Sequence, residues 1–530
     1  MVLASQAQHG MWITEVMHGT GTAYHMPFAL WFDGPLDREA MLAACRAVVA
    51  RHPVLSCAFE ERDGSLHLVP AAGAPPIAFV VEPDPHPLIE REIALPFELS
   101  AGPLARFTLV EMSPSRHLLL FVGHHLVFDG MSKDLLVRDL AAAYSGAPFP
   151  PLPMPYGTAE KPSPEAQAYW RARWREVPHV VINGVTRTPR LAGRGETVLR
   201  DLTHDLPDLP GLTRFQVFLA AVHALLHRYG NADTSVAVSM STRTAETRDH
   251  IGLFATELPV FSSFPPGGSF RELALGIRDE LRELNAFREV PVARAVGGIK
   301  PRAALAPVSI SYRRRAPDQV FPGLSLSVEW KMSNHMVRNA LHLQAVDGDD
   351  GLLLTLHHSP DVISRRDVEL AADHLSAVLR AVSADPEVRL ADLPLPGAPV
   401  TDPPAASPAT PAAGAAHAEA GAELVEGQLV EGELGERELG ERELVEGELV
   451  EGELVEGELI EQVRLIWMEV LRMDHIAPDE DLYDLGGHSL TITQISARIR
   501  KRLGVEVPFD VFLDDPTITG VAAAIDGLRP

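Results

Sequence analysis

From Leu424 to Leu459 a leucine recurs at every fifth residue, set in a repeat close to Glu-Leu-Val-Glu-Gly. Neither regular structure has that period. On a helix, five residues advance about 140° past a full turn, so the leucines spiral and never form a stripe. On a strand they alternate between the two faces. A glycine in nearly every repeat weakens a helix further. With no single face to bury, the stretch cannot pack as a domain. Between Glu423 and Glu458 it holds 14 glutamates against two arginines, nearly half of the chain's net charge of −26. It is preceded by a Pro/Ala-rich run containing Pro403, Pro404, Pro408 and Pro411. The expectation is a disordered acidic linker over 391–457, which divides the 530 residues into a large first block, 1–390, and a small last one, 458–530.

The first block alternates helical and strand patterns without a repeat, which predicts α/β layers rather than a solenoid. Residues 37–51, 133–144, 216–229 and 365–382 carry apolar residues at helical spacing, and 117–123 form a short apolar run suited to a buried strand. A proline-rich stretch, 150–164, suggests a junction between an N-terminal part, about 1–165, and a C-terminal part, about 166–390. In the last block, 459–471, 489–503 and 516–527 have helical patterns, which predicts a small helical bundle.

Chemistry concentrates at His124-His125-Leu126-Val127-Phe128-Asp129-Gly130, between that strand and the next helix. Such junctions present side chains at a sheet edge, where ligands bind. Histidine is the side chain best poised to exchange protons near neutral pH. Asp129 can orient an imidazole or clamp the loop through a basic partner. Gly130 lets the backbone approach a ligand closely. In the last block, Leu485-Gly486-Gly487-His488-Ser489-Leu490 puts Ser489 at the start of an amphipathic helix, where the helix dipole favours a phosphodiester.

These strings resemble two families. HHLVFDG matches the HHxxxDG motif of nonribosomal peptide synthetase condensation domains, and flanking motifs occur in the family's order. Ser5-Gln6-Ala7-Gln8 with Met11-Trp12 resembles the opening motif, and Arg51-His52-Pro53-Val54-Leu55 the second. Ile251-Gly252-Leu253-Phe254-Ala255-Thr256 resembles the IGxFVNT motif, with Arg243 at the arginine that often precedes it, and departs from it at Ala255. A late motif survives only as Arg288-Glu289-Val290-Pro291-Val292. The last block resembles peptidyl carrier domains, whose serine carries 4'-phosphopantetheine.

The resemblance implies two chloramphenicol-acetyltransferase-like lobes in a V, then the linker and a small four-helix carrier bundle. It implies an acyltransferase that forms amide bonds between carrier-bound thioesters. His125 would take a proton from the attacking amine or hold it in line, the Gly130 N–H would help stabilise the oxyanion, and His124 and Asp129 would hold the loop in shape. Arg243 and Arg51 are candidates for buried ion pairs. Ser489 would carry the cofactor, and no metal is expected. The implied partners are an upstream donor carrier protein, an adenylation enzyme acting in trans, a phosphopantetheinyl transferase, and a downstream synthetase, thioesterase or tailoring enzyme. A starter-type acylating domain and a non-catalytic platform for tailoring enzymes are the alternatives.

Composition agrees with this reading. A strongly acidic chain is a poor partner for nucleic acid or an anionic membrane. Cys45 and Cys57 are too few for a disulfide framework, and the N-terminal residues lack a basic stretch followed by an apolar run. Both features suggest a cytoplasmic protein. In limited proteolysis, 423–457 should be cut first, leaving two resistant fragments detectable by intact mass. A linker as resistant as its flanks would disprove the division.

Overall fold

The computed structural model describes residues 2–397 and 456–528, apart from 19, 63–64, 158–162, 176, 178, 184–191, 264–266, 291, 293–303, 331, 349–350, 472, 474, 483–484, 486–488 and 509–510. The linker expected to be disordered, and the Gly-Gly-His ahead of Ser489, lie outside the described residues.

The N-terminal lobe is built on a five-stranded sheet in the order Ser325–Glu329, His25–Asp33, Arg116–His124, Ala105–Ser113, Ile77–Val81. Arg116–His124 is central and is buried at every residue after Arg116. Helix Arg38–Arg51 starts where Asp37 accepts from the Ala40 N–H at 3.0 Å, and buries Met41, Ala44, Cys45 and Val48 along one face. Helix Ser132–Tyr144 buries Leu136, Val137 and Leu140 in the same core. A small second sheet joins Val2–Leu3, Ser65–Pro70 and Cys57–Arg62.

The C-terminal lobe holds a six-stranded sheet in the order Ala255–Ser263, Asp233–Ser241, Val308–Arg314, Leu341–Gly348, Gly351–His358, Glu196–Asp201. Helices Arg214–Arg228, Phe270–Ala286 and Arg365–Ala384 cover one face of it. The first two begin with capping boxes, Thr213 with Gln216 and Ser269 with Glu272. The sequence periodicity places Arg38–Arg51, Ser132–Tyr144, Arg214–Arg228 and Arg365–Ala384 to within two residues, and it does not single out Phe270–Ala286. It does not anticipate that Ser325–Glu329, far along the C-terminal part, returns to pair antiparallel with His25–Asp33 of the other lobe.

The last block contains helices Glu456–Leu471, Ser489–Leu503, Val511–Asp514 and Ile518–Leu528 around a separate apolar core that includes Trp467, Ile495 and Phe512. Among the described residues no group of three or more His, Cys, Asp or Glu could hold a metal, and no helix is long and apolar enough to cross a membrane. Both cysteines are free.

A buried polar cluster ties the two lobes together. Asp139 accepts from Arg51 Nε at 2.9 Å, His52 Nε2 at 2.8 Å and Arg138 Nε at 2.8 Å. The other nitrogen of His52, Nδ1, accepts the N–H of Ile251 at 3.3 Å, and Ile251 itself packs in the N-terminal core. Arg138 reaches across to Asp249 at 2.5 Å. Burial pushes the Asp139 carboxyl up, but hydrogen bonds from His52 and Arg138 and the charge of Arg138 outweigh it and hold it below its ordinary 3.8. Asp139→Ala leaves the buried Arg51 without its carboxylate and should cost about 3–5 kcal/mol in denaturant unfolding of the first block. Because the folded value is depressed, this contribution is complete above about pH 4 and is lost as pH falls through the lowered value. An Asp139→Ala protein with an unchanged denaturation midpoint would contradict the assignment.

Candidate active site

The central strand Arg116–His124 ends where the N-terminal core meets the other lobe, and the next seven residues turn back into a helix. Leu126, Val127 and Phe128 are fully buried in the N-terminal core, Phe128 packing on Phe121 with centroids 4.6 Å apart. These three anchors fix the loop. A Cβ on Gly123 would fall 2.9 Å from the Phe121 ring, so the strand's last glycine is required by this packing. Gln8 secures the loop from outside, its Nε2 donating to the Leu126 carbonyl at 2.9 Å and to the Tyr156 hydroxyl at 3.1 Å. Gln8 is itself held by a reciprocal cap with Ser5, which gives the opening motif a physical role.

The two histidines differ. His124 is wholly buried among the rings of Tyr24, His25 and Phe97. Its Nδ1 accepts the Leu126 N–H at 3.2 Å, which puts its proton on Nε2, 3.5 Å from Glu15 Oε2. His125 is half-buried. Its backbone N–H donates to the Tyr24 carbonyl at 2.8 Å, and its Nδ1–H donates to the Phe128 carbonyl at 2.9 Å. That tautomer leaves Nε2 as an acceptor lone pair, with no hydrogen-bond partner among the described residues. Burial and then the nearby positive charge of Arg338 lower the basicity of the ring below the ordinary imidazole value, so His125 is neutral at pH 7.

Asp129 does not orient the imidazole; the Phe128 carbonyl does. Asp129 clamps the lobes. It binds Arg243 through both oxygens, at 2.6 and 3.0 Å, accepts the Phe254 N–H at 3.0 Å, and caps the following helix through the Ser132 N–H at 2.9 Å and hydroxyl at 2.8 Å. Burial raises its pKa, but Arg243 and these hydrogen bonds bring it below the usual carboxylate value. A Cβ on Gly252 would fall 2.4 Å from the Tyr156 ring, so the Ile251–Phe254 segment can dock this closely only with glycine there. Gly130 is exposed, and its carbonyl accepts from Arg313 Nη1 at 2.9 Å. A Cβ at Gly130 would meet no protein atom within 4 Å, so neither packing nor a positive φ demands glycine there.

Two residues near His125 were not singled out in the sequence. Arg338 pairs with Glu257 at 3.0 Å and lies over the Tyr24 ring at 5.1 Å. Glu257 stands where IGxFVNT ends in threonine, so its charge was a visible signal. Arg338 precedes a strand in a stretch without a motif and gave none.

In the last block, Ser489 is the first residue of helix Ser489–Leu503. The start of a helix, where the dipole is positive, suits attachment of a phosphodiester.

Comparisons with known proteins agree with this arrangement. The family model for condensation domains matches residues 1–398, and that for the phosphopantetheine attachment site matches residues 461–525. The chain is 28% identical over 422 residues to tyrocidine synthase 3 of Brevibacillus parabrevis, covering 73% of this chain and 6% of that protein. It is 28% identical over 443 residues to phosphinothricin tripeptide synthetase PhsC of Streptomyces viridochromogenes, covering 74% of this chain and 40% of that protein. It therefore spans well under half the length of either relative. The fold resembles the X-domain from teicoplanin biosynthesis, with a TM-score of 0.61, 23% identity, and 74% and 97% of the two chains covered. It also resembles the starter condensation domain of rhizomide synthetase, with a TM-score of 0.61, 17% identity, and 74% and 99% covered. Condensation domains are acyltransferases that form amide bonds in nonribosomal peptide synthetases, and the attachment-site domain is where 4'-phosphopantetheine is covalently bound. The chain belongs to the condensation-domain family, and a phosphopantetheine-bearing carrier domain follows it.

Proposed function

We propose that this chain condenses a donor acyl or peptidyl thioester with an amine acceptor at His125, and that its own carrier holds one substrate on Ser489. The observation that carries this reading is the state of His125: a neutral imidazole, its Nδ1–H fixed on a backbone carbonyl and its Nε2 lone pair turned away from the loop's own hydrogen bonds. That is the form a proton acceptor needs.

The amine nitrogen attacks the thioester carbonyl carbon, the C–N bond forms, and the C–S bond breaks. His125 Nε2 takes the proton the amine sheds, or holds the amine in line, and can return that proton to the departing thiolate. The Gly130 N–H would help stabilise charge developing on the carbonyl oxygen. His124 and Asp129 act through the loop's shape. The cofactor supplies the thiol on which an acyl group is held as a thioester.

The interval between the two matched domains, residues 399–460, is too short for an adenylation domain. That spacing favours loading by an adenylation enzyme acting in trans, after a phosphopantetheinyl transferase has primed Ser489. As flexible coil this interval would span about 40–50 Å, enough for the carrier to visit both its own condensation domain and other enzymes. An upstream carrier would present the donor, and a synthetase, thioesterase or tailoring enzyme would receive the product. A cytoplasmic setting suits these partners.

Incubation with coenzyme A and a promiscuous phosphopantetheinyl transferase should add one phosphopantetheine to the intact mass, and none to Ser489→Ala. Modification of the Ala variant would sink the carrier assignment. His125→Ala should fold, accept phosphopantetheine and condense about 10²–10⁴-fold more slowly. The wild-type rate should stay level from neutral pH down to below the ordinary imidazole value of 6.5, then fall as Nε2 protonates. A well-folded, loaded His125→Ala protein that condenses at the wild-type rate would leave the non-catalytic platform as the better account.

A further inference from the structure

Alternate residues of the six-stranded sheet point to opposite sides. Val238, Leu258, Ile310, Leu343 and Leu356 face the apolar core under the helices. The opposite face carries Glu257, Ser309, Ser311, His342, Gln344 and His357. Their register makes them neighbours: Ser309 lies opposite His342, Ser311 opposite Gln344, and His342 opposite His357. Ser309 is buried and the others are half-buried, so this is neither an apolar packing face nor an ordinary solvated one.

The face is turned toward the His125 loop. Arg313, two residues beyond Ser311 on the same strand, donates to the Gly130 carbonyl at 2.9 Å and pairs with Asp134 at 3.3 Å. Arg338, joined to Glu257, lies over Tyr24, whose carbonyl receives the His125 N–H. The positive charge of Arg338 bears on both His125 and His342.

The polar groups of this face are only partly satisfied by one another. His342 Nδ1 meets the Ser309 hydroxyl at 2.7 Å, and its Nε2 meets the Ser311 hydroxyl at 3.2 Å. Burial, then Arg338, brings His342 down to about 4, so it is neutral, donating through one nitrogen and accepting through the other. Each serine therefore keeps hydrogen-bonding capacity. The side-chain oxygen of Gln344 faces His357 Nε2 at 3.5 Å, and no described residue accepts from its amide nitrogen. Beside it, the buried Thr355 hydroxyl has no hydrogen-bond partner among the described residues. A face made only to pack one lobe on the other would be more stable as aliphatic residues, since unpaired buried polar groups oppose folding. The charged groups around it are already engaged: Glu257 pairs with Arg338, Asp134 with Arg313, and Lys133, whose charge bears on His357, donates to the Pro27 and Trp330 carbonyls. What remains is neutral donors and acceptors.

The geometry points to a substrate subsite: the wall of Ser309, Ser311, His342, Gln344 and His357 receives the side chain of the group condensed at His125, and that side chain is neutral and hydrogen-bonding, a hydroxyl or carboxamide rather than an alkyl chain. This rests on the reading of His125 as the reaction centre. The test uses non-hydrolysable amide analogues of aminoacyl-pantetheine in matched pairs of similar shape, asparaginyl with leucyl and seryl with 2-aminobutanoyl. Their binding to the full chain is followed by calorimetry. The polar member of at least one pair should bind about 10-fold or more tightly than its apolar partner. Gln344→Leu and Ser311→Ala, both at half-buried positions and checked by melting temperature, should bring that ratio toward one. Equal or tighter binding of both apolar members, or a ratio unchanged in both variants, overturns the subsite. Turnover of His125→Ala separates the two claims. Wild-type turnover in that variant defeats the reading of the reaction centre, whereas lost turnover with no polar preference in binding defeats the subsite alone.

Discussion

Everything at the candidate centre depends on the buried pairing of Asp129 with Arg243. The carboxylate lies in the N-terminal lobe and the guanidinium in the C-terminal lobe, and each is almost entirely removed from water. Such a pair is costly to assemble and costlier to leave half-made. Asp129 offsets that cost by binding three further donors on two elements: the N–H and hydroxyl of Ser132 at its own helix start, and the Phe254 N–H. The result is less a source of net stability than a device that allows one relative placement of the lobes. His125 inherits its position from that placement, because its loop is pinned between the clamp and three buried apolar residues.

The sequence was informative where local rules decide the outcome. Helix Arg38–Arg51 was legible from its Asp37 cap and its apolar spacing, and the central strand from an apolar run too short for a helix. Buried Arg51 and Arg243 were readable as ion-pair candidates, but their partners were not, because Asp139 and Asp129 lie 88 and 114 residues away. Choosing between clamping and orienting roles for Asp129 required coordinates. Local spacing cannot show that the Phe128 carbonyl already holds the His125 ring. Glu257 marked itself by departing from the motif around it, whereas Arg338 could be found only by its neighbours. The polar face of the six-stranded sheet was partly visible as serines alternating with apolar residues in Val308–Arg314. That pattern ordinarily signals a strand with one side in water, and only the packing shows that this side is half-buried against the other lobe.

The two histidines illustrate how adjacency along a chain hides difference in space. Successive residues leaving a strand point to opposite sides, so one imidazole enters a cage of aromatic rings and the other remains within reach of a ligand. His124 contributes its bulk and one hydrogen bond to the backbone of Leu126. His125 contributes a lone pair. The same dipeptide thus supplies a structural part and a chemical part, separated by one peptide bond.

Strand Ser325–Glu329 gives the fold an interlocked topology. It completes the N-terminal sheet although most of the C-terminal lobe lies between it and that sheet along the chain, and its exit is fastened by Lys133, which donates to the Trp330 carbonyl at 3.2 Å. The proline-rich junction near residue 160 looks like a seam, yet it is not one at which the protein can be divided. An N-terminal fragment cut there would present His25–Asp33, a long and mostly buried strand, as a bare edge open to pairing with other chains. Recombination of lobes between related enzymes meets the same obstacle: the segment from Phe321 to Trp330 belongs, by packing, with the N-terminal partner. The natural unit of exchange in this domain is therefore discontinuous, and a single crossover point inherits a mismatched strand wherever it falls between the lobes.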